Sequence, residues 1–189
     1  ALKAGVKIVQ YRDKFLHDNE KISQAKCLAS LCKKYNSLFI VNDRIDIALA
    51  VDADGIHLGQ EDIPTKIARE LLGDGRIIGR STHSLEEIKS AEEEGCDYIG
   101  IGPIFPSETK KQLNPIGIDY LKKGLSETLL PAFAIGGINI SNINQLNQIN
   151  NLRIAVSDAI INSSDPYFAW YSRNRFDCWY GCGCKRINI

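Results

Sequence analysis

The chain has 189 residues, 44% of them hydrophobic and 24% charged, the ordinary range for one globular domain with a sizeable core. Its 23 Lys plus Arg offset 23 Asp plus Glu, so no basic field exists to hold nucleic acid or an anionic membrane surface, and a small-molecule partner is expected. No apolar run approaches a membrane span, and the start, ALKAGVKIVQ, lacks the charged-then-apolar layout of a signal peptide; a cytoplasmic setting follows.

In chain order, ALKAG reads as the last turn of a helix with Gly5 as its cap. Because methionine is absent altogether, the N-terminus reads as a cut. Short β-branched runs then alternate with helix-period segments, the strand candidates being VKIVQYR, SLFIVND, GIHLGQ, RIIGRST, YIGIGPI, PAFAIGGI and RIAVSDAI. Between them Ile22, Ala25, Leu28 and Cys32, and later Leu85, Ile88, Ala91 and Gly95, recur at three- and four-residue steps, giving each helix one buried face. Ser84 with Glu87 forms a capping box, and Gly73 and Gly95 suit left-handed C-caps.

Strict alternation of apolar strands with helices predicts a parallel sheet covered by helices, the α/β class. Seven β–α units fall one short of a closed barrel. The expected fold is therefore a TIM (β/α)8 barrel whose first β-strand and most of whose first helix are missing from this chain, an open doubly wound sheet being the alternative. The barrel is expected over residues 1–175. Residues 176–189 form an atypical tail in which Cys178, Cys182 and Cys184 are weak metal-ligand candidates, so an aberrant or disordered end is expected. Cys27, Cys32 and Cys96 lack disulfide or zinc spacing and read as reduced thiols.

Polar residues gather at the C-terminal ends of nearly every strand, where barrel enzymes build their sites. Gln10, Arg12 and Lys14 lie two apart on an extended segment, so they share one face; they suit a diphosphate or, equally, a solvated edge. Asn42 and Asp43 end the next strand, and Gln60, Glu61 and Asp62 follow the one after. Asp43 as a turn residue and Asp62 before a helix would each be ordinary alone; delivered by neighbouring strands, the two carboxylates fit Mg²⁺ beside phosphate oxygens. Ser107, Thr109 and Lys110 bring hydroxyls and a cation to a strand-end loop, and Gly136 and Gly137 permit close backbone approach. His57 reads as a satisfied core histidine, and His83 as a hydrogen-bonding partner near the cap of the next helix.

The motifs VQYRDK, VNDR, DGIHLGQED, GRSTHS, DYIGIGPIFPSETKK, AIGGI and AVSDAI, in this order from about Gly5 to Pro166, resemble the thiamine-phosphate synthase family. The resemblance implies a Mg²⁺-dependent transferase. It would join 4-amino-2-methyl-5-(diphosphooxymethyl)pyrimidine to a thiazole phosphate, releasing diphosphate. It implies that Gln10, Arg12, Lys14, Asn42, Ser81 and Lys110 bind the pyrimidine diphosphate, with Arg12, Lys14 and Lys110 catalytic. Asp43 and Asp62 would hold Mg²⁺, and Ser107, Thr109, Gly137, Ser157 and Asp158 the thiazole phosphate. Two positions depart from the family: Ser107 stands where Thr is usual, and Asp158 stands where Ser is common, bringing a carboxylate that must turn away from a phosphate. A thiazole tautomerase-like relative and a non-catalytic phosphate-binding barrel fragment are the alternatives. A homo-oligomer is compatible with either.

Overall fold

The structure is a computed structural model that describes residues 1–107 and 113–165 in full and the backbone of residues 178–183. Eight parallel strands close a barrel in chain order: β1 Ile8–Arg12, β2 Leu38–Asn42, β3 Gly55–Leu58, β4 Ile77–Thr82, β5 Tyr98–Ile101, β6 Ala132–Ala134, β7 Arg153–Val156 and β8 Cys178–Gly183. The helices are α1 Asp18–Lys34, α2 Ile45–Ala50, α3 Thr65–Leu72, α4 Leu85–Glu93, α5 Gly117–Ser126 and α6 Asp158–Ile161, and a 3-10 turn, Ile143–Leu146, stands between β6 and β7. All seven predicted strands form. Within the described residues no helix is long and apolar enough to cross a membrane.

The gap expected between the strands at Val6 and Arg153 is occupied. β8 pairs in parallel with β1, from Ile8 opposite Trp179 to Arg12 opposite Gly183, and with β7, from Ile154 opposite Cys178 to Val156 opposite Tyr180. Cys178 and Cys182 thus lie on a barrel strand, while Cys184 falls outside the described residues.

Strand alternation sorts the side chains into two layers. Val9, Phe39, Val41, Ile99, Ile101, Ala134 and Ile154 pack outward with Ala25, Cys32, Ile88, Ala91 and Leu121 of the helices. Ile56, Leu58 and Ile78 pack with Ala68 and Leu72 of α3. The intervening residues line the interior, where Tyr98 and Phe133 meet Ile8, Ile77, Ile135 and Ala155. Burial drives the Cys32 thiol up to about 12, which fits its role as an inert packing group.

Carboxylates extend the ladder at the N-terminal end of the barrel. Asp54 donates its N–H to the Phe39 carbonyl (2.9 Å) and accepts the Phe39 N–H on its side chain (2.7 Å); Asp97 does the same with Ile78 (2.8 and 2.7 Å). Gly5 caps a one-turn 3-10 helix, Leu2–Ala4, with φ 92°. Gly73 and Gly95 also take positive φ at helix ends. Ser84 Oγ accepts the Glu87 N–H (3.1 Å), but the Glu87 carboxylate takes the N–H of His83 (2.6 Å), so half of the predicted capping box forms.

Candidate active site at the barrel mouth

Because Gln10 and Arg12 alternate with the outward-facing Val9 and Tyr11, both point to the barrel interior, Gln10 deep and Arg12 towards the C-terminal mouth. Tyr11 turns the other way and donates its hydroxyl to Gln24 of α1 (3.3 Å). The Gln10 Nε2 is buried with no hydrogen-bond partner. So is the Asn42 Oδ1 at the end of β2, although Asn42 Nδ2 donates to Asp43 Oδ1 (2.5 Å) and to the His57 carbonyl (3.1 Å). A buried polar atom without a partner loses its water contacts for no return, so these two atoms mark where a polar ligand would repay the cost of burial.

Asp43 follows β2 with φ 61°, a left-handed conformation that Asp tolerates better than most residues. Its N–H donates to the His57 carbonyl (2.9 Å), which ties the turn to β3. Its carboxyl lies against that of Asp62. Burial first, then the hydrogen bond and charge of Asp62, push the Asp43 pKa up to about 6, while Lys14 and Arg12 work in the opposite sense. Asp62 is fixed by the Gly59 N–H (2.5 Å). Four of the predicted residues, Arg12, Lys14, Asp43 and Asp62, therefore share one electrostatic neighbourhood. Two crowded carboxylates form a donor set suited to a divalent cation, which relieves their repulsion. A pair of ligands rather than a cage is how Mg²⁺ is held when water and phosphate oxygens complete its shell. No group of three or more His, Cys, Asp or Glu able to hold a metal occurs among the described residues.

Ser81, on β4, is buried and hydrogen-bonded to His57 Nε2 (2.9 Å), whose Nδ1 meets the Tyr98 hydroxyl (2.9 Å). His57 is thus the satisfied core histidine expected, with both ring nitrogens engaged. His83 Nδ1 bonds the Gly102 carbonyl (2.5 Å), at the start of the next loop. Sequence reasoning passed over Gln60 as a structural part: its amide donates to the Ser81 carbonyl (2.7 Å) and so ties the Asp62 loop to β4. It also passed over Tyr98, whose aromatic character within an apolar strand gives no hint of its hydroxyl's partner.

Across the mouth, Gly136 and Gly137 follow β6 with φ 87° and 69°. A Cβ on Gly136 would lie 2.4 Å from Pro103 Cβ, and one on Gly137 2.4 Å from the Pro106 carbonyl oxygen. The close approach foreseen for this pair is made to the Pro103–Pro106 loop that leads to Ser107. Ser157 precedes the four-residue α6, and Asp158 at its start is exposed. Thr109 and Lys110 fall outside the described residues.

A family model described as thiamine monophosphate synthase matches residues 1–160. Two curated relatives, each named thiamine-phosphate synthase and both from Prochlorococcus marinus, are similar. The protein of the SARG strain is 56% identical over 169 residues, covering 89% of this chain and 49% of its own. That of the MIT 9313 strain is 57% identical over 166 residues, covering 88% and 47%. The chain thus spans about half the length of the curated relatives it matches. Among solved structures, a thiamine phosphate pyrophosphorylase from Pyrococcus furiosus superposes with a TM-score of 0.83 at 36% identity, over 92% of this chain and 83% of that one.

Proposed function

The chain belongs to the thiamine monophosphate synthase family, and from that premise we propose that it condenses a pyrimidine methyl diphosphate with a thiazole phosphate to give thiamine phosphate and diphosphate. The observation that carries this reading is the crowded Asp43–Asp62 carboxylate pair beside Arg12 and Lys14. A tautomerase or a simple phosphate binder has no diphosphate to neutralise and no use for that combination.

In the proposed reaction the bond between the pyrimidine methylene carbon and the diphosphate oxygen breaks, its electron pair leaving with diphosphate. The thiazole nitrogen lone pair then forms the new C–N bond to the pyrimidine-methyl cation. Negative charge grows on the leaving group, so Arg12, Lys14 and, from the sequence reading, Lys110 stabilise the transition state more than the bound substrate. Mg²⁺, held by Asp43 and Asp62, would add charge at the same oxygens. Gln10, Asn42 and Ser81 would orient the pyrimidine diphosphate. Gly137, the backbone around Ser157 and Asp158, and the hydroxyls of Ser107 and Thr109 would hold the thiazole phosphate. A β–α unit placed ahead of Ala1, as the sequence reading expects, would have to take the place beside β1 that Cys178–Gly183 holds.

The test is release of diphosphate from the pyrimidine substrate, with and without thiazole phosphate, as Mg²⁺ is titrated and then chelated. Release that needs both the thiazole phosphate and Mg²⁺ is expected. Absence of release under every condition would exclude the synthase reading, and release unaffected by chelation would exclude the metal.

A further inference from the structure

One buried polar chain inside the barrel has no part in the charge stabilisation described above. His57 on β3, Gly79 on β4 and Tyr98 on β5 lie at one level, since His57 is in register with Gly79 and Gly79 with Tyr98. Gly79 carries no side chain into that level, and the Tyr98 ring fills the space: a Cβ on Gly79 would lie 1.9 Å from the ring carbon that bears the hydroxyl. The phenol therefore crosses over Gly79 and reaches His57 Nδ1 at 2.9 Å, while the opposite ring nitrogen, Nε2, is 2.9 Å from Ser81 Oγ one level nearer the mouth. Phe133 backs the Tyr98 ring edge-on at 5.6 Å between centroids. The three polar groups are 4% (His57), 4% (Ser81) and 7% (Tyr98) exposed, so water does not compete for these bonds.

A neutral imidazole donates from one nitrogen and accepts at the other, so the Tyr98 bond and the Ser81 bond have one direction between them. If Ser81 donated to Nε2, its only proton would be spent on the ring and its lone pairs would face an anionic ligand. If Nε2–H donates to Ser81, the hydroxyl proton is free. We propose that Tyr98 is a positioning residue that donates to His57 Nδ1, holds the ring as the Nε2–H tautomer, and so turns the Ser81 hydroxyl proton towards an acceptor atom of the pyrimidine diphosphate. Burial agrees with that direction: it holds the Tyr98 phenol well above its ordinary range, so the phenol keeps the proton it donates.

The inference rests on the proposed function for the identity of the ligand, but its first test does not. With histidine labelled in ¹⁵N, the full chain should show His57 as the Nε2–H tautomer, assigned against His17 and His83 by loss of its signals in His57→Asn. Tyr98→Phe, which keeps the ring over Gly79, should release that preference and give a mixture of tautomers. In turnover, Tyr98→Phe should raise the KM for the pyrimidine diphosphate about tenfold, the effect of one lost hydrogen bond, with a smaller change in kcat. Ser81→Ala should do the same, and the double variant should be no worse than either single one. An Nδ1–H tautomer in the parent, or a tautomer indifferent to Tyr98→Phe, overturns the proposal whether or not the chain turns over. The expected tautomer without any turnover would instead count against the synthase reading alone.

Discussion

At the residue scale Asp43 is the most informative group. Its carboxyl binds a proton more tightly in the folded chain, with a pKa of about 6, than its ordinary value of 3.8. Between those two values the folded state holds the proton that the unfolded state has lost, so the Asp43 contribution to stability falls as pH rises from about 4 to 6 and stays lost above that. Without Mg²⁺, Asp43→Asn should therefore flatten this part of the pH dependence and melt above the parent at neutral pH. With Mg²⁺ the order should reverse, because only the parent gains from the ion, and the variant should lose most turnover. Thermal melts across pH 4–8, with and without Mg²⁺, check this; a variant with the parent's pH slope would mean that Asp43 titrates normally. The exposure of Asp158 leads to a second expectation: Asp158→Ser should leave the KM for thiazole phosphate nearly unchanged, and a large improvement would show that the carboxylate faces the phosphate.

At the scale of elements, the barrel interior depends on matching a large residue on one strand with none on the next. Tyr98 fits only because Gly79 leaves its level empty, and Gly102 likewise leaves room for the Ile135 carbonyl, which would lie 2.2 Å from a Cβ there. Gly79→Ala has no flexible neighbour to displace, since the obstructing atoms belong to a rigid ring backed by Phe133. The variant should lose ~1–3 kcal/mol, towards the upper end of what overpacking costs. It should also break the Tyr98–His57 bond. Chemical denaturation measures the first and the His57 ¹⁵N signals the second. A variant as stable as the parent would show that the ring has another place to go.

For the whole molecule the question is closure. β1 and β7 each present a row of backbone groups to β8, and seven strands without it would leave two open edges in a parallel sheet. Ending the chain after residue 177 should abolish a cooperative thermal transition and expose apolar surface to a hydrophobic dye, whereas the full chain should melt cooperatively. Identical melts would show that Cys178–Gly183 adds nothing to closure. Addition of a β–α unit ahead of Ala1 is the complementary experiment, since only one strand fits between β1 and β7.

What the sequence alone determined is what local spacing can carry. Alternation of apolar strands with helix-period segments identified seven strands and the α/β class, and the two-residue strand repeat placed Gln10 and Arg12 on the face that proves to point inward, whereas Lys14, expected on the same extended face, stands exposed in a bend beyond the end of β1. The carboxylates of Asp43 and Asp62 were legible because each stands at the end of a strand next to its partner's. Three features depended on tertiary structure. Cys178–Gly183, with two glycines and no aliphatic run, has no strand pattern of its own; its conformation comes from the exposed ladders of β1 and β7. The raised pKa of Asp43 needs burial and a second carboxyl pressed against it, neither of which its own sequence neighbours supply. The path from Tyr98 over Gly79 to His57 and Ser81 joins residues from three strands, up to 41 positions apart, and a hydroxyl's direction is decided by the partners it meets across a closed barrel.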